Sequence, residues 1–478
     1  MTTFLHGVET QELTKGPKAI TQVVSAVVGI IGTAPIHHAE SPAVVNSPVL
    51  VLTDRDNVQF GSGVSGYTIP DALAGVQAQG YGTSFVVNVF DPTKHKTDVP
   101  AADIDIVTGS IVLTHKDIVS CTVKAAGGAG NALTMGVDYK LDRKTGIITI
   151  LTDGALKSAA KANVAYAYGN PSAITAADII GAITEAGKRT GMQALLDCAS
   201  LYGMSPKILI APGFSSASSV QAALQVLAQK TKMRAVALVD APSGAKMTQV
   251  LEGRGTSGTL ELRLSDDRLF YCYPHLMAYD ANTDSSAAVP FSPRLAGVIA
   301  RTDSELGYWC SPSNKQILGV TGIETPLSAS VSDATCDVNV LNGAGVVTVF
   351  TGYGVGIRTW GNRASTFPGS SAITTFMCVR RTIDMVDESI EKAALAYLDG
   401  PVGKVLIQAI LDDVNAFLRT LISRGALMPG SRLEYFDADN EVSELAAGHV
   451  TFTKTYCPPP PLERLTYKSV LDTTLLGN

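Results

Sequence analysis

The sequence predicts an α/β core domain with a mainly parallel sheet, an inserted all-β module, an α+β C-terminal domain, and extended N- and C-terminal arms. Three observations predict it. Val/Ile-rich runs recur between helix-length segments over residues 21–92 and 172–355, as buried parallel strands and their crossovers do. Residues 93–171 switch to period-two alternation with turn signals, the mark of antiparallel strands. Both ends of the chain are thin in apolar residues and cannot bury enough surface to fold alone.

Residues 1–20 read as an arm in which Phe4, Leu5, Val8 and Leu13 stand among polar residues, with Gly7, Gly16 and Pro17. Residues 21–32 are a buried strand ending at Gly32, followed by an apolar run at Val49–Leu52. Pro70 and Asp71 open a helix through Gln79, and Phe85–Phe90 is again a strand. In the inserted module, Val164, Tyr166 and Tyr168 alternate with alanines, and Ile147–Leu151 follows the Asp142–Gly146 turn. Beyond it, Ala176–Lys188 and Met192–Tyr202 read as helices and Lys207–Ala211 as a strand. Ser218 or Ser219 is a capping residue for a helix to Lys230. Ala235–Asp240, Leu269–Tyr273 and Val346–Phe350 complete the strands. Residues 356–461 form the α+β domain. Its helices are Ile383–Leu398 and Lys404–Ser423, the second with a wide apolar stripe from Val405 to Leu421. Strands follow at Leu433–Asp437 and Val450–Tyr456. Pro458–Pro461 enforces an extended spacer before the second arm, residues 462–478, anchored by Leu465, Tyr467, Val470, Leu471 and Leu475.

The composition narrows the function classes. Of 478 residues, 46% are hydrophobic and only 17% charged, against about 25% charged in typical soluble proteins. Mean hydropathy is +0.20. No stretch approaches the ~18 consecutive apolar residues of a spanning helix, so no membrane insertion is expected. Such a chain hides its apolar surface most simply against other subunits. The net charge of −6, with no Lys/Arg run, argues against direct nucleic-acid binding. Met1–Thr10 lacks the basic and apolar regions of a secretory signal, and seven scattered cysteines without a CxxC indicate reduced thiols.

Chemical motifs are weak. Gly61–Gly66 satisfies GxGxxG and supports the alternative reading, an α/β nucleotide-binding enzyme. That fingerprint needs a buried strand before it and a helix opening within it. Here Arg55-Asp56-Asn57 precedes and the helix signal starts only at Pro70. SxxK at Ser243–Lys246 and KTG at Lys144–Gly146 occur in the wrong order for an acylating-serine hydrolase. His37 and His38, read on an extended segment, point to opposite faces and share no metal site. Asp437-Ala438-Asp439-Asn440 begins like a calcium loop, but Val442 and Gly448 stand where Gly and Glu are needed. No catalytic constellation emerges, and no cofactor or metal is expected.

Several stretches together resemble the contractile tail sheath family of myophages and phage-tail-like particles. They are Gly7-Val8 with Gly16-Pro17, SAVVGIIGTAP (25–35), GVIARTDSELGYWCSPSN (297–314), LGVTGIE (318–324), RTWGNRAST (358–366), VRRTIDMVDESIEKAALAYLDGP (379–401) and GAL (425–427). Ala364 stands where the family commonly has Thr. The β module fits the family's variable insertions and is expected on the outer surface. The resemblance implies a structural subunit, not an enzyme, forming a homo-oligomeric helical sheath of stacked rings around a tail tube protein. Baseplate and tail-terminator proteins are the implied partners at the ends. It implies arms that add strands to neighbouring C-terminal domains, and contraction that drives the tube through the cell envelope for genome or effector delivery. The particle would be a virion tail or tail-like particle assembled in the bacterial host cytoplasm. Arm strands are then expected at Phe4, Val8, Leu13, Leu465, Tyr467, Val470, Leu471 and Leu475, and an acceptor strand at Val450, Phe452 and Tyr456. Asp384, Asp387, Glu388 and Glu391 form a candidate tube-facing surface.

Overall fold

The computed structural model describes residues 20–80, 82–229, 231–256, 258–280 and 283–473. The chain divides into two compact units, Val24–Arg381 and the combination of Met1–Val23 with Thr382–Asn478. The division falls later than the boundary at residue 356 read from the sequence, because residues 358–360 join the sheet of the larger unit.

The larger unit begins with strand β1 (Val27–Gly32), β2 (Pro48–Val51), helix α1 (Thr68–Gln77) and β3 (Thr83–Asn88). The inserted module follows as β4 (Lys96–Asp105), β5 (Ser110–Val112), β6 (Ile118–Ala125), β7 (Tyr139–Asp142), β8 (Ile147–Ile150) and β9 (Lys161–Gly169). These strands make two antiparallel sheets, β4-β9-β6 and β5-β8-β7. They enclose their own core of Ile111, Ile118, Val123, Ile148 and Val164. The α/β pattern then resumes with α2 (Ala176–Ile180), α3 (Cys198–Tyr202), β10 (Ile208–Ile210), α4 (Ser218–Ala228), β11 (Val236–Asp240), α5 (Met247–Arg254) and β12 (Leu269–Cys272). After β13 (Leu276–Asp280), β14 (Ser285–Val289), α6 (Ser292–Glu305), β15 (Gly322–Ile323) and α7 (Asp337–Gly343) come β16 (Val346–Phe350) and β17 (Arg358–Trp360).

The main sheet has the order β17-β16-β12-β11-β10-β1-β3-β2. Its inner pairings are all parallel, and only the edge strands β2 and β17 run antiparallel. Strand alternation sorts the side chains onto two faces. Val27, Ile31, Phe85, Val87, Leu209, Val239 and Tyr271 enter one core, with Leu224 of α4 and Val250 of α5. Val28, Ile30, Val86, Ile208, Leu238 and Phe270 enter the other, with Leu73 of α1 and Leu295 of α6.

Several sequence expectations change. The helix read over 176–188 stops at Ile180, because Gly181 takes a φ of 69° and its Cβ would lie 1.9 Å from the Thr190 carbonyl oxygen. Much of 192–202 is a 3-10 turn that becomes helix only at Cys198. Neither serine caps α4; Ala217 occupies that position without a side-chain bond. The β13–β14 hairpin and α6 had no counterpart in the sequence reading. α6 is held by β11, since Asp240 accepts the Ser292 N–H at 2.7 Å and its hydroxyl at 2.5 Å. Burial raises the Asp240 carboxyl above its ordinary value.

The second unit contains the continuation of α8 (Met377–Ala394), α9 (Lys404–Ser423), β18 (Arg432–Glu434), α10 (Val442–Ala446) and β19 (Thr453–Thr455). Of the expected α9 stripe, Val414, Phe417, Leu418 and Leu421 are buried, while Val405 is exposed.

Candidate functional site

The motifs that looked most specific in sequence serve as scaffold. The 297–314 and 358–366 stretches meet in one hydrogen-bonded junction. The Asn314 N–H donates to the Thr359 carbonyl at 2.7 Å, the Gly361 N–H to Ser313 Oγ at 2.9 Å, and Asn362 Nδ2 to Ser311 Oγ at 2.7 Å. Asp303 and Arg381 form a buried two-pronged ion pair, and Arg381 also donates to the Ser25 carbonyl at 3.0 Å. One guanidinium thus anchors the segment leading into β1, helix α6 and the start of α8.

The enzyme alternative loses its structural context. The Gly61–Gly66 loop follows a 3-10 helix (Asp54–Phe60), with no parallel strand leading into it. Gly61 has a packing reason: its φ is 70° and a Cβ would sit 2.3 Å from the Pro35 carbonyl oxygen. Nor does the cluster of Ser292, Asp240 and His275 form a nucleophile and base. Ser292 donates to Asp240, while His275 Nε2 donates to the Ala241 carbonyl.

His37 and His38 overturn the expectation that adjacent histidines diverge. They lie in a 3-10 turn (Ile36–His38), so both rings reach one point. Their Nε2 atoms lie 2.6 and 2.7 Å from Asp117 Oδ1, and the Tyr67 hydroxyl donates to Oδ2 at 2.5 Å. Gly169 closes the cluster, donating its N–H to the Asp117 carbonyl; a Cβ there would lie 2.2 Å from Oδ2. These separations are those of hydrogen bonds, by which His37, His38 and Tyr67 hold the inserted module at Asp117. Burial alone would raise the Asp117 carboxyl, but the three donors outweigh it and hold the group well below its ordinary range.

The described residues expected to link copies lie in the second unit. β18 and β19 form a two-stranded antiparallel sheet with Leu433 opposite Lys454. None of the three expected acceptor residues lies inside β19, since Val450 and Phe452 precede it and Tyr456 follows it. Phe452 makes an edge contact with Tyr435 at 5.9 Å, and the Tyr456 hydroxyl donates to Asp387 at 2.9 Å. Val450 is half-buried. Lys454, missed in sequence, pairs with the same Asp387 carboxylate. Two asparagines, also missed, bracket main-chain groups. Asn415 on α9 accepts the Leu433 N–H at 2.8 Å and donates to its carbonyl at 3.0 Å. Asn440 does the same for Thr451, at 2.7 and 2.9 Å. A signal was present: Asn415 interrupts the apolar stripe of a helix interior, where asparagine is disfavoured.

Beyond the Cys457-Pro458 junction, residues 462–473 carry no strand or α-helix. Leu465 is 61%, Tyr467 84%, Val470 88% and Leu471 96% exposed. Phe4, Val8, Leu13 and Leu475 lie outside the described residues. Of the candidate tube-facing acids, Asp384 is only 2% exposed, Asp387 is engaged by Lys454 and Tyr456, Glu388 is half-buried and Glu391 is exposed.

Comparison with known proteins gives this arrangement a context. The family described as phage tail sheath protein central domain matches residues 187–365, and that described as phage tail sheath C-terminal domain matches 370–471. The tail sheath protein of Burkholderia phage BcepMu is 43% identical over 99% of this chain and 98% of its own. The chain belongs to the phage tail sheath family. The sheath protein of Escherichia phage P2 is 26% identical over 100% of this chain and 98% of its own. A family of unknown function matches residues 93–181, which contain the inserted module. The fold is that of two solved sheaths in contracted state. One is the PVC extracellular contractile injection system (TM-score 0.60, 13% identity, 99% of both chains). The other is the anti-feeding prophage (TM-score 0.59, 15% identity, 98% of this chain and 100% of that one). The protein is a contractile tail sheath subunit, a structural component of a phage tail or tail-like particle and not an enzyme. No helix among the described residues is long and apolar enough to cross a membrane.

Proposed function

We propose that this sheath subunit polymerises around a tail tube as a helical cylinder of stacked rings, tied together by exchange of its terminal arms. The observation that carries this reading is an exposed C-terminal segment with apolar anchors and no strand or α-helix over residues 462–473, in a unit whose described residues form one two-stranded sheet. A two-stranded sheet is marginal alone and gains by strand addition, in which main-chain bonds hold and alternate side chains set register. Sixteen residues beyond Leu462 reach about 50 Å at ~3.3 Å per residue, enough to cross to a neighbour. A ladder of about five bonds contributes a few kcal/mol at ~1 each, and each buried anchor adds about 2 kcal/mol. Links of this size are moderate singly, and several per subunit make a durable mesh. Rigid bodies then shift while the links persist, and contraction toward a lattice with better subunit contacts needs no nucleotide. Baseplate and terminator proteins would close the ends, and assembly would precede release from the host cytoplasm.

The test is deletion of residues 463–478. The truncated protein is expected to fold and remain monomeric in electron micrographs. Long tubes from it would refute arm exchange. The tube-facing surface on α8 narrows in this reading to Glu388 and Glu391. Reversing both charges is expected to lower co-sedimentation with assembled tube, and unchanged co-sedimentation would remove that face.

A further inference from the structure

Two imidazole nitrogens aimed at one carboxylate oxygen are more than a hydrogen-bonded clasp requires. One donor per oxygen would hold Asp117, and the Tyr67 hydroxyl already serves Oδ2. Yet the Nε2 atoms of His37 and His38 both face Oδ1, at 2.6 and 2.7 Å. One ligand atom from each of the three residues lies within 4.8 Å of the other two. None of the three side chains is more than 8% exposed. Phe90 walls the cluster, its ring 5.9 Å from that of His37 and edge-on to Tyr67 at 5.1 Å. Among the described residues no partner meets His37 Nδ1. Moving the ring proton from Nε2 to Nδ1 therefore breaks no bond at Nδ1, and it frees the Nε2 lone pair on the side of Asp117.

We infer that His37 Nε2, His38 Nε2 and Asp117 Oδ1 form a binding site for a divalent transition metal such as Zn2+, which pins the inserted module to the body. The sequence expectation against a shared metal site assumed an extended segment, and the 3-10 turn removes that assumption. Two imidazoles and one carboxylate suit Zn2+, whereas Mg2+ and Ca2+ take oxygen donors. The Tyr67 hydroxyl on Oδ2 orients the carboxylate and leaves Oδ1 as the coordinating oxygen. Bonds of about 2.0–2.2 Å to one ion replace the two hydrogen bonds once Oδ1 backs away by less than about 1 Å. Both histidines are half-buried as residues while their rings are covered, so their main chain borders solvent and the ion has a short way in. A water completes the tetrahedron. An ion bound to the folded chain and not to the unfolded one stabilises by mass action, and here the gain falls on the junction of the turn with β6 and β9.

The experiment takes the untagged full-length protein, strips it with a chelator and returns Co2+ or Zn2+ alone. Wild type is expected to bind one Co2+ per chain with the intense visible absorption of a tetrahedral site, and Zn2+ is expected to displace it. X-ray absorption at the zinc edge is expected to show nitrogen and oxygen neighbours without sulfur, which separates this site from the seven cysteines. His38→Gln keeps an N–H donor in reach of Asp117 but removes a ligand. It is expected to weaken Co2+ binding by more than about 100-fold, and Tyr67→Phe, which removes only the hydroxyl on Oδ2, by about 10-fold. Zn2+ is expected to slow amide exchange in β6 and β9 of wild type and not of His38→Gln. Co2+ affinity unchanged in His38→Gln, sulfur around the zinc, or wild-type protein that takes up no stoichiometric metal would each overturn the site. The zinc-edge spectrum needs no variant, so it decides the matter alone if His38→Gln does not fold.

Discussion

The main sheet of the larger unit and the small sheet of the second unit solve the edge problem in opposite ways. The main sheet is buried on both faces, and its flanks end in short antiparallel strands, Pro48–Val51 and Arg358–Trp360. Pro48 cannot donate to a further strand. The small sheet consists of Arg432–Glu434 and Thr453–Thr455, and on the β18 flank Asn415 meets the main chain of Leu433. The lesson is a separation of tasks. The main sheet is closed within one chain, whereas the small sheet has two strands among the described residues and is the one proposed to gain a strand from another copy. Under the arm-exchange proposal, this separation lets subunits shift without unfolding.

The largest expected effect comes from breaking the link alone. Tyr467→Pro or Val470→Pro removes a ladder donor from the arm and is expected to abolish tubes while leaving urea denaturation of the body unchanged. Tubes of normal length would blur the contrast between the two sheets. Next is Arg381→Ala, which leaves Asp303 buried and unpaired and is expected to cost about 3–5 kcal/mol of body stability in urea denaturation. Loss of less than about 1 kcal/mol would show that the pair is not an anchor.

A smaller effect is expected at the module clasp. Asp117→Asn should cost about 1–3 kcal/mol, seen as weaker amide-exchange protection of β6 and β9. The folded carboxyl sits well below its ordinary value near ~3.9, so its contribution is present above that value and is lost as pH falls toward the folded one. The difference between wild type and Asp117→Asn should therefore shrink below about pH 4. The smallest effect is expected from deleting residues 93–171, which should spare polymerisation because the module has a core of its own. Complete loss of tubes would place it among the linking elements instead.

How far the sequence revealed this architecture varied with how local the deciding interactions are. Val346–Phe350 and Lys404–Ser423 have the bounds read from the sequence, since continuous apolar runs and a helical stripe carry their own period. The helix expected over 176–188 failed at Gly181, where the close Thr190 carbonyl decides the turn. The histidines failed for a related reason. Their convergence depends on a 3-10 turn and on Asp117, which lies 80 residues from His37. At the small sheet, strands expected over Leu433–Asp437 and Val450–Tyr456 are shorter, Arg432–Glu434 and Thr453–Thr455, and Asn415, Asn440 and Lys454 were not legible.

The sequence by itself determined the succession of buried strands, the interruption by an all-β module, and two ends thin in apolar residues. These follow from composition and periodicity, which act between near neighbours in the chain. Only the tertiary structure decided which main-chain groups Asn415 brackets, which carboxylate gathers two histidines and a tyrosine, and which arginine anchors both the entry to β1 and the start of α8. Each depends on hydrogen-bonding groups far apart in sequence being brought within about 3 Å, and no local pattern encodes that meeting.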